Sequence, residues 1–512
     1  MTINFNSKVR FNRLYRSSGN IDNALIFDPD NIKPASLSSF ESDRGRIINS
    51  AAIRRLQQKT QVFPLERNSA VRSRLTHSME VQQVGRYIVQ EVFRLLDKQE
   101  KEHYHLDQLE RQFESIVEMS CLMHDVGNPP FGHFGEQAIN CWFKKQLHTL
   151  IATNTAEAKI ELPEPLYRDL SNFEGNAQAI RLVHTLLELN LTFSQVSGIL
   201  KYTRRADQLS PKELKKQNPN YNDELSYLKK KVGYYVSEDD YVSRLRTCLS
   251  MEEGCRSPFS YIMEAADDIS YGIADIEDTV EKNIIDPSHL EKILIDEYSN
   301  LLAKYKNAAA NEMKDIVKLA SESAHRANNC ATSHFFITLR MEINKRVPNY
   351  AANQFIENID AIYHGRFNRA LIEDESTEHA LVQTLKNIAV KYAICAPEVD
   401  ARKLQGYRII TGLLDIYKPL IELDNETFTQ IVEGEEDTPL YETRLFNKLP
   451  SKHLRAYTNA LKEEAIANLP YDFTPDVWEF YFRVRLIQDY ISGMTDQFAF
   501  DEYRALMVID PS

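Results

Sequence analysis

The stretch that most constrains this chain is residues 119–136, Met119-Ser120-Cys121-Leu122-Met123-His124-Asp125-Val126-Gly127-Asn128-Pro129-Pro130-Phe131-Gly132-His133-Phe134-Gly135-Glu136. It enters as a helix, with Phe113, Ile116, Val117 and Leu122 spaced to form one apolar stripe. A histidine and an aspartate then stand side by side, where Gly127 and two prolines stop the helix. A second histidine and a glutamate follow. Such a run is poorly suited to a core. It suits a metal site beside an acid–base group.

The rest of the chain reads as helical. Val81, Val84, Ile88, Val92 and Leu95 or Leu96 recur at three or four, with His77 at the N-terminal end of their helix. Asn49 or Ser50 caps a helix holding Ile53 and Leu56, with Arg54 and Arg55 exposed. Ser171-Asn172-Phe173-Glu174-Gly175-Asn176 opens another helix. Residues 258–282 carry the stripe Phe259, Ile262, Met263, Ala266, Ile269, Ile273, Ile276 and Val280. Asp267, Tyr271 and Asp275 are four apart and share a different face of that helix. Residues 1–40 read as a polar arm outside the core, turn-rich at Ser17-Ser18-Gly19-Asn20 and broken by Pro34. Two stretches read as insertions: a polar one near 145–170, and a lysine-rich loop or hairpin near 206–232. The acidic stretches 373–378 and 433–437 read as surface loops. The expected fold is all-α, with at most minor β-hairpins. A core spans 41–285, and a helical C-terminal region spans 286–512.

Composition narrows the function. A net charge of −13 argues against a protein coated in basic surface but leaves room for a local basic groove. Six cysteines with no CxxC spacing read as buried free thiols in a reducing compartment. No apolar run approaches the roughly 18 residues of a membrane span. The N-terminus shows no apolar signal-peptide core. The expectation is a soluble cytoplasmic protein that engages no membrane.

Four residues could hold a metal: His77, His124, Asp125 and Asp267. Imidazole nitrogen and carboxylate oxygen suit Mn, Fe, Co, Zn or Mg, and Mg or Mn is the expected ion. Four protein ligands leave an octahedral ion places for water and a substrate oxygen. Taken singly, His77 could be a helix cap, His124-Asp125 a helix end and Asp267 an arginine partner. The ordered set points to a metal.

That set resembles the H…HD…D signature of the HD superfamily of metal-dependent phosphohydrolases. Longer strings are similar to the bacterial deoxyguanosine triphosphate triphosphohydrolases: Phe40-Glu41-Ser42-Asp43-Arg44-Gly45-Arg46-Ile47-Ile48, Arg74-Leu75-Thr76-His77-Ser78, His124 to His133, and Glu264-Ala265-Ala266-Asp267-Asp268-Ile269-Ser270-Tyr271. The likeness extends to Leu404-Gln405-Gly406-Tyr407-Arg408 and Asp489-Tyr490-Ile491-Ser492-Gly493-Met494-Thr495-Asp496. It implies an all-helical HD core, a divalent ion and a homohexamer. It also implies hydrolysis of dGTP at the α-phosphorus to deoxyguanosine and inorganic triphosphate. His133 would be the general acid or base, oriented by Glu136. A polyanionic substrate needs cations and donors, for which Lys201, Tyr202 and Asn176 come first, then Arg46 and Lys230 or Lys231. Tyr271 would face the deoxyribose and Asp275 accept its 3′-OH, while Gln61 and Val62 line the sugar and base by resemblance. Guanine selection rests on the likeness, with Lys403 to Arg408 as the region that reads the base. Two alternatives stand beside this: an HD phosphohydrolase of broader dNTP or nucleotide specificity, and a nucleic-acid-binding or regulatory HD protein. Arg54, Arg55 and Arg67 are candidate contacts for single-stranded DNA.

Overall fold

A computed structural model describes residues 3–15, 37–153, 162–327 and 330–508. The turn-rich stretch around Ser17 and Pro34 lies outside them. The fold is all-α. Among the described residues the only strands are β1 (Arg204–Arg205) and β2 (Val232–Tyr234). They pair in parallel, so of the loop or hairpin expected near 206–232 the hairpin is not the one formed. The lysine-rich stretch between them instead includes a short helix, Pro211–Gln217, started by a Ser210–Glu213 capping box.

Two short helices lead in, α1 (Leu37–Ile48) and α2 (Ala51–Leu56), the second capped by Ser50. Three helices then form the frame of the site. The first is α3 (Arg74–Leu95), opened by a capping box between Ser73 and Thr76. The second is α4 (Glu110–Met123), which ends at His124. Then α5 (Gly132–Thr153), α6 (Glu164–Ser171) and α7 (Gly175–Arg181) follow in order. The third frame helix is α8 (Pro258–Glu281), with proline in its first turn, where a missing N–H costs nothing. Helices α3, α4 and α8 pack on one another. Val81, Ile88, Phe113, Ile116, Phe259, Ile262, Ile269 and Ile273 form their common core.

The N-terminal arm is partly core. Phe5 and Val9 are fully buried, and Phe5 sets its ring edge-on to Phe113 at 5.7 Å. The polar average of the segment hides two apolar anchors. The stretch 145–170 is not a bare insertion either. Helix α5 runs through its start, and Leu147, Leu150, Leu162, Leu166 and Leu170 are buried in a second core. That core is shared with α9 (Pro397–Glu422) and α10 (Pro475–Ser492). A last helix, α11 (Asp496–Leu506), closes the described chain. All six cysteines are free, but Cys141, Cys330 and Cys395 are exposed instead of buried. No helix among the described residues is long and apolar enough to cross a membrane.

Candidate metal centre

Each frame helix delivers one donor to the same point. His77 sits one turn into α3 and is fully buried. His124 follows the last turn of α4, where Nδ1–H donates to the Cys121 carbonyl at 2.7 Å. That bond fixes the tautomer and leaves the Nε2 lone pair free to ligate. Asp267 projects from the middle of α8, with Oδ1 3.2 Å from His77 Nε2 and 3.6 Å from His124 Nε2. The three ligand atoms lie within 4.8 Å of one another. Two imidazoles, which ligate in their neutral form, and a carboxylate at this spacing fit a divalent ion. Among the described residues His77 Nδ1 is buried without a partner, and Asp267 is the hydrogen-bond partner that orients that ring.

Asp125 stands beside this group, with Oδ2 3.6 Å from His124 Nε2. Its carboxylate is also held by Arg74 and by Asn128 Nδ2 at 2.5 Å. Burial would raise its pKa, but Arg74 and His124 pull it down to about 2. Burial works the same way on Asp267, where His124, His77 and Lys201 outweigh it and hold the carboxyl far below the usual range. Both carboxylates are therefore ionised.

The group opens into a cavity of about 500 Å³. Gln61, Val62, His124, Asp125, His133, Asp267 and Tyr271 are in its wall. His133 lies at the exposed rim, at the start of α5, with Nδ1 3.9 Å from Glu136 Oε2. Glu136 is buried and accepts the Gly175 N–H at 3.2 Å. Burial would raise its pKa, yet His133 and Lys231 hold it below the ordinary value.

A cation cluster flanks each end of this arrangement. Lys231 Nζ is 3.0 Å from Glu174 Oε1, which also takes the Asn176 amide at 2.8 Å. Lys201 Nζ is 3.4 Å from Glu264 Oε1. Burial would lower its pKa, but Tyr202, Glu264, Asp267 and Asp268 raise it, so the ammonium stays charged. Tyr202 is buried, its ring faced by Lys201 and Lys230, each at 5.8 Å.

Among the sequence candidates, His77, Glu136, Asn176, Lys201, Tyr202 and Lys231 lie outside the cavity wall beside the centre, and Arg46 and Asp275 are not brought to it. Arg46 is exposed on α1 and donates to the Leu189 carbonyl at 3.0 Å, because its position faces outward from the helix. Asp275 is fully buried one turn beyond Tyr271 and forms no part of the cavity wall. Burial pushes its carboxyl up to about 8. Spacing put it on the right face of α8, but that helix sinks into the core beyond Tyr271.

Sequence reasoning missed several wall residues. Arg74 and Asn128 lay inside the quoted strings, and their charge and amide next to the His-Asp pair were the available signal. Asp268 also lay in a quoted string, beside Asp267, while Gln383 and Lys386 carried no signal; Lys386 pairs with Asp268 at 2.5 Å across a tertiary contact.

A model of the HD domain matches residues 74–212. This chain carries an HD domain. A second model, the phosphohydrolase-associated domain, matches residues 451–505. Together they support the HD superfamily of metal-dependent phosphohydrolases, and the His77–His124–Asp267 group could hold a divalent ion.

The associated domain reaches the HD loop directly. Asp496, at the start of α11, accepts the Phe131 N–H at 3.0 Å, the Thr60 N–H at 3.1 Å and the Thr60 hydroxyl at 2.5 Å. Lys59 Nζ reaches the Asn128 carbonyl and, at 3.4 Å, that of Ser492. This clasp holds the Pro-Pro-Phe turn, where Phe131 adopts a left-handed φ of 63°. Behind the turn Gly127 has no room for a side chain. A Cβ there would lie 2.1 Å from the Gly175 carbonyl oxygen and 2.3 Å from the Ala179 nitrogen. Both obstacles are backbone, so Gly127→Ala must push α4 and α7 apart. The expected cost is at least about 1–3 kcal/mol of stability. A lowered thermal midpoint with reduced divalent-ion affinity would report it, and an unchanged midpoint would contradict it.

Proposed function

We propose that the protein hydrolyses dGTP to deoxyguanosine and inorganic triphosphate. The observation that carries this reading is the meeting of His77, His124, Asp125 and Asp267 at one point, the last three in the wall of a cavity that also holds His133. A divalent ion held by the four would supply Lewis acidity toward a phosphoryl oxygen. Mg and Mn are the first choices.

The chain's own residues do the rest. Water attacks the α-phosphorus and the bond from phosphorus to O5′ breaks. One water proton is lost and O5′ gains one, and His133 is placed at the rim to carry a proton in either transfer. Glu136, ionised and tied to Gly175, stabilises the imidazolium and holds the ring. Lys201 offsets phosphate charge from behind Asp267, with Tyr202 packed under its ammonium. Lys231 and Asn176 serve the triphosphate on the other side. The flat face of Tyr271 lies against the sugar and leaves little space for a 2′-OH, with Gln61 and Val62 closing that side. Region 286–512 completes the nucleotide site through Gln383, Lys386 and Lys403, all in the cavity wall. Guanine preference follows from the resemblance of the strings, and a homohexamer is the assembly it implies.

A broader dNTP hydrolase is the second reading. It is favoured by Gln61 and Gln383, whose amides offer both a donor and an acceptor and so suit more than one base. The test is product chromatography with each dNTP and with GTP, in Mg or Mn. Inorganic triphosphate and deoxyguanosine are expected from dGTP, fastest among the nucleotides. Equal rates on all four dNTPs would favour the second reading. Pyrophosphate or orthophosphate as the first product would overturn both.

A further inference from the structure

A separate pocket of about 320 Å³ lies between α2, the segment 448–453 and the turn from α10 to α11. Arg55, Lys448, His453, Tyr490, Met494 and Phe498 line it. None of them belongs to the cavity of the metal centre.

Two features of this pocket are poorly partnered. His453 is only 5% exposed, and among the described residues neither ring nitrogen makes a well-formed hydrogen bond, the Asp489 backbone being its nearby polar contact. Buried imidazoles are normally hydrogen-bonded, so one without a well-formed bond needs an explanation. Arg55 is half-buried and, among the described residues, its side chain makes no ion pair or hydrogen bond. Burial and the neighbouring Arg54 both press its pKa down, with no acid opposing them. Lys448 is answered by Glu502 at 3.2 Å. The surplus charge in the pocket is therefore that of Arg55.

A water molecule could satisfy the imidazole. It could not balance the guanidinium, which calls for an anion with several acceptor oxygens. Tyr490, Met494 and Phe498 give the same pocket an apolar lining that suits an organic body. We propose that this pocket binds a small phosphomonoester, its phosphate between Arg55 and His453 and its body on the apolar wall. Access is tight at the phosphate end. The Cβ of any residue replacing Gly493 would come within 3.5 Å of Arg55 Nη1. The site adjoins the clasp, since Thr495 precedes Asp496 and α2 leads directly to Lys59 and Thr60. An occupant would thus press on both strands that pin the Pro-Pro-Phe turn.

The test is equilibrium dialysis of the full chain with radiolabelled inorganic phosphate in EDTA, which silences phosphate capture through a divalent ion. Saturable binding of one phosphate per chain is expected. Arg55→Gln should weaken it by about tenfold or more, the usual loss for a charged hydrogen bond. Arg55→Lys should retain most of it, and His453→Phe should weaken it. His124→Ala should leave it unchanged. Absence of binding, equal binding by Arg55→Gln, or loss confined to His124→Ala would each overturn the proposal. So would binding of a single-stranded oligonucleotide without terminal phosphate when inorganic phosphate does not bind.

Discussion

His133→Ala is expected to lower kcat on dGTP by about 10²–10⁴, the usual range for a lost general acid or base. Divalent-ion affinity should be unchanged, because His133 holds none of the converging ligand atoms. KM should move little, since the lost interaction belongs to the transition state. The fold should survive as well. The side chain is 72% exposed, and its one charged neighbour, Glu136 at 3.9 Å, keeps the Gly175 N–H as a partner. Glu136→Gln should cost less than His133→Ala. The amide still accepts from Gly175 but no longer answers a charged imidazole. Single-turnover kinetics beside calorimetric Mn binding separates the outcomes. A variant that binds Mn and turns over at the wild-type rate would remove His133 from the chemistry. A variant that loses Mn would make it part of the ion site.

The contrast between His133 and Asp275 shows what the sequence could and could not convey. His77, His124 and Asp267 were legible because each sits at a fixed place on a strongly periodic helix. Three such helices packed on one another leave few ways to arrange their polar intruders. Asp275 obeyed the same periodicity and still fell in the core. Spacing gives direction around a helix axis but not the depth at which a cavity ends. Arg46 lies outside the cavity for a related reason: a basic residue in a telling string is still free to face solvent. Lys386 and Gln383 were out of reach altogether, because only tertiary packing brings their helix, Thr377–Ile388, against Asp268. Phe5 and Val9 were lost in the polar average of their segment, although two apolar side chains suffice to anchor it. The parallel pairing of β1 with β2 was likewise unreadable, since it depends on where the intervening chain travels.

Arg181→Ala is expected to be the most destabilising single change in the protein's polar interior. Arg181, Glu238 and Asp489 are each at most 3% exposed. The guanidinium sits 2.7 Å from Asp489 Oδ2 and 2.8 Å from Glu238 Oε1, and Gln178 adds a bond to Asp489 at 2.9 Å. Removing the one cation leaves two buried carboxylates facing each other. Breaking a buried pair in this way costs about 3–5 kcal/mol, most of it the penalty of the stranded charge. Burial would lower the Arg181 pKa, but Asp489 and Glu238 raise it well above normal, in keeping with a fully charged triad. Asp489→Asn should cost less, because Glu238 still answers the guanidinium. Arg181→Lys should fall between, keeping the charge but losing the two-pronged contact. The triad also joins the two matched regions, since Arg181 lies within 74–212 and Asp489 within 451–505. It anchors α7, whose first residue, Gly175, donates to Glu136. The damage should therefore reach the site: whatever fraction of Arg181→Ala remains folded should show a lower kcat as well as a lower thermal midpoint. Thermal unfolding by circular dichroism, paired with kcat per folded molecule, checks both. A midpoint within error of wild type would show that the triad contributes nothing that water cannot replace.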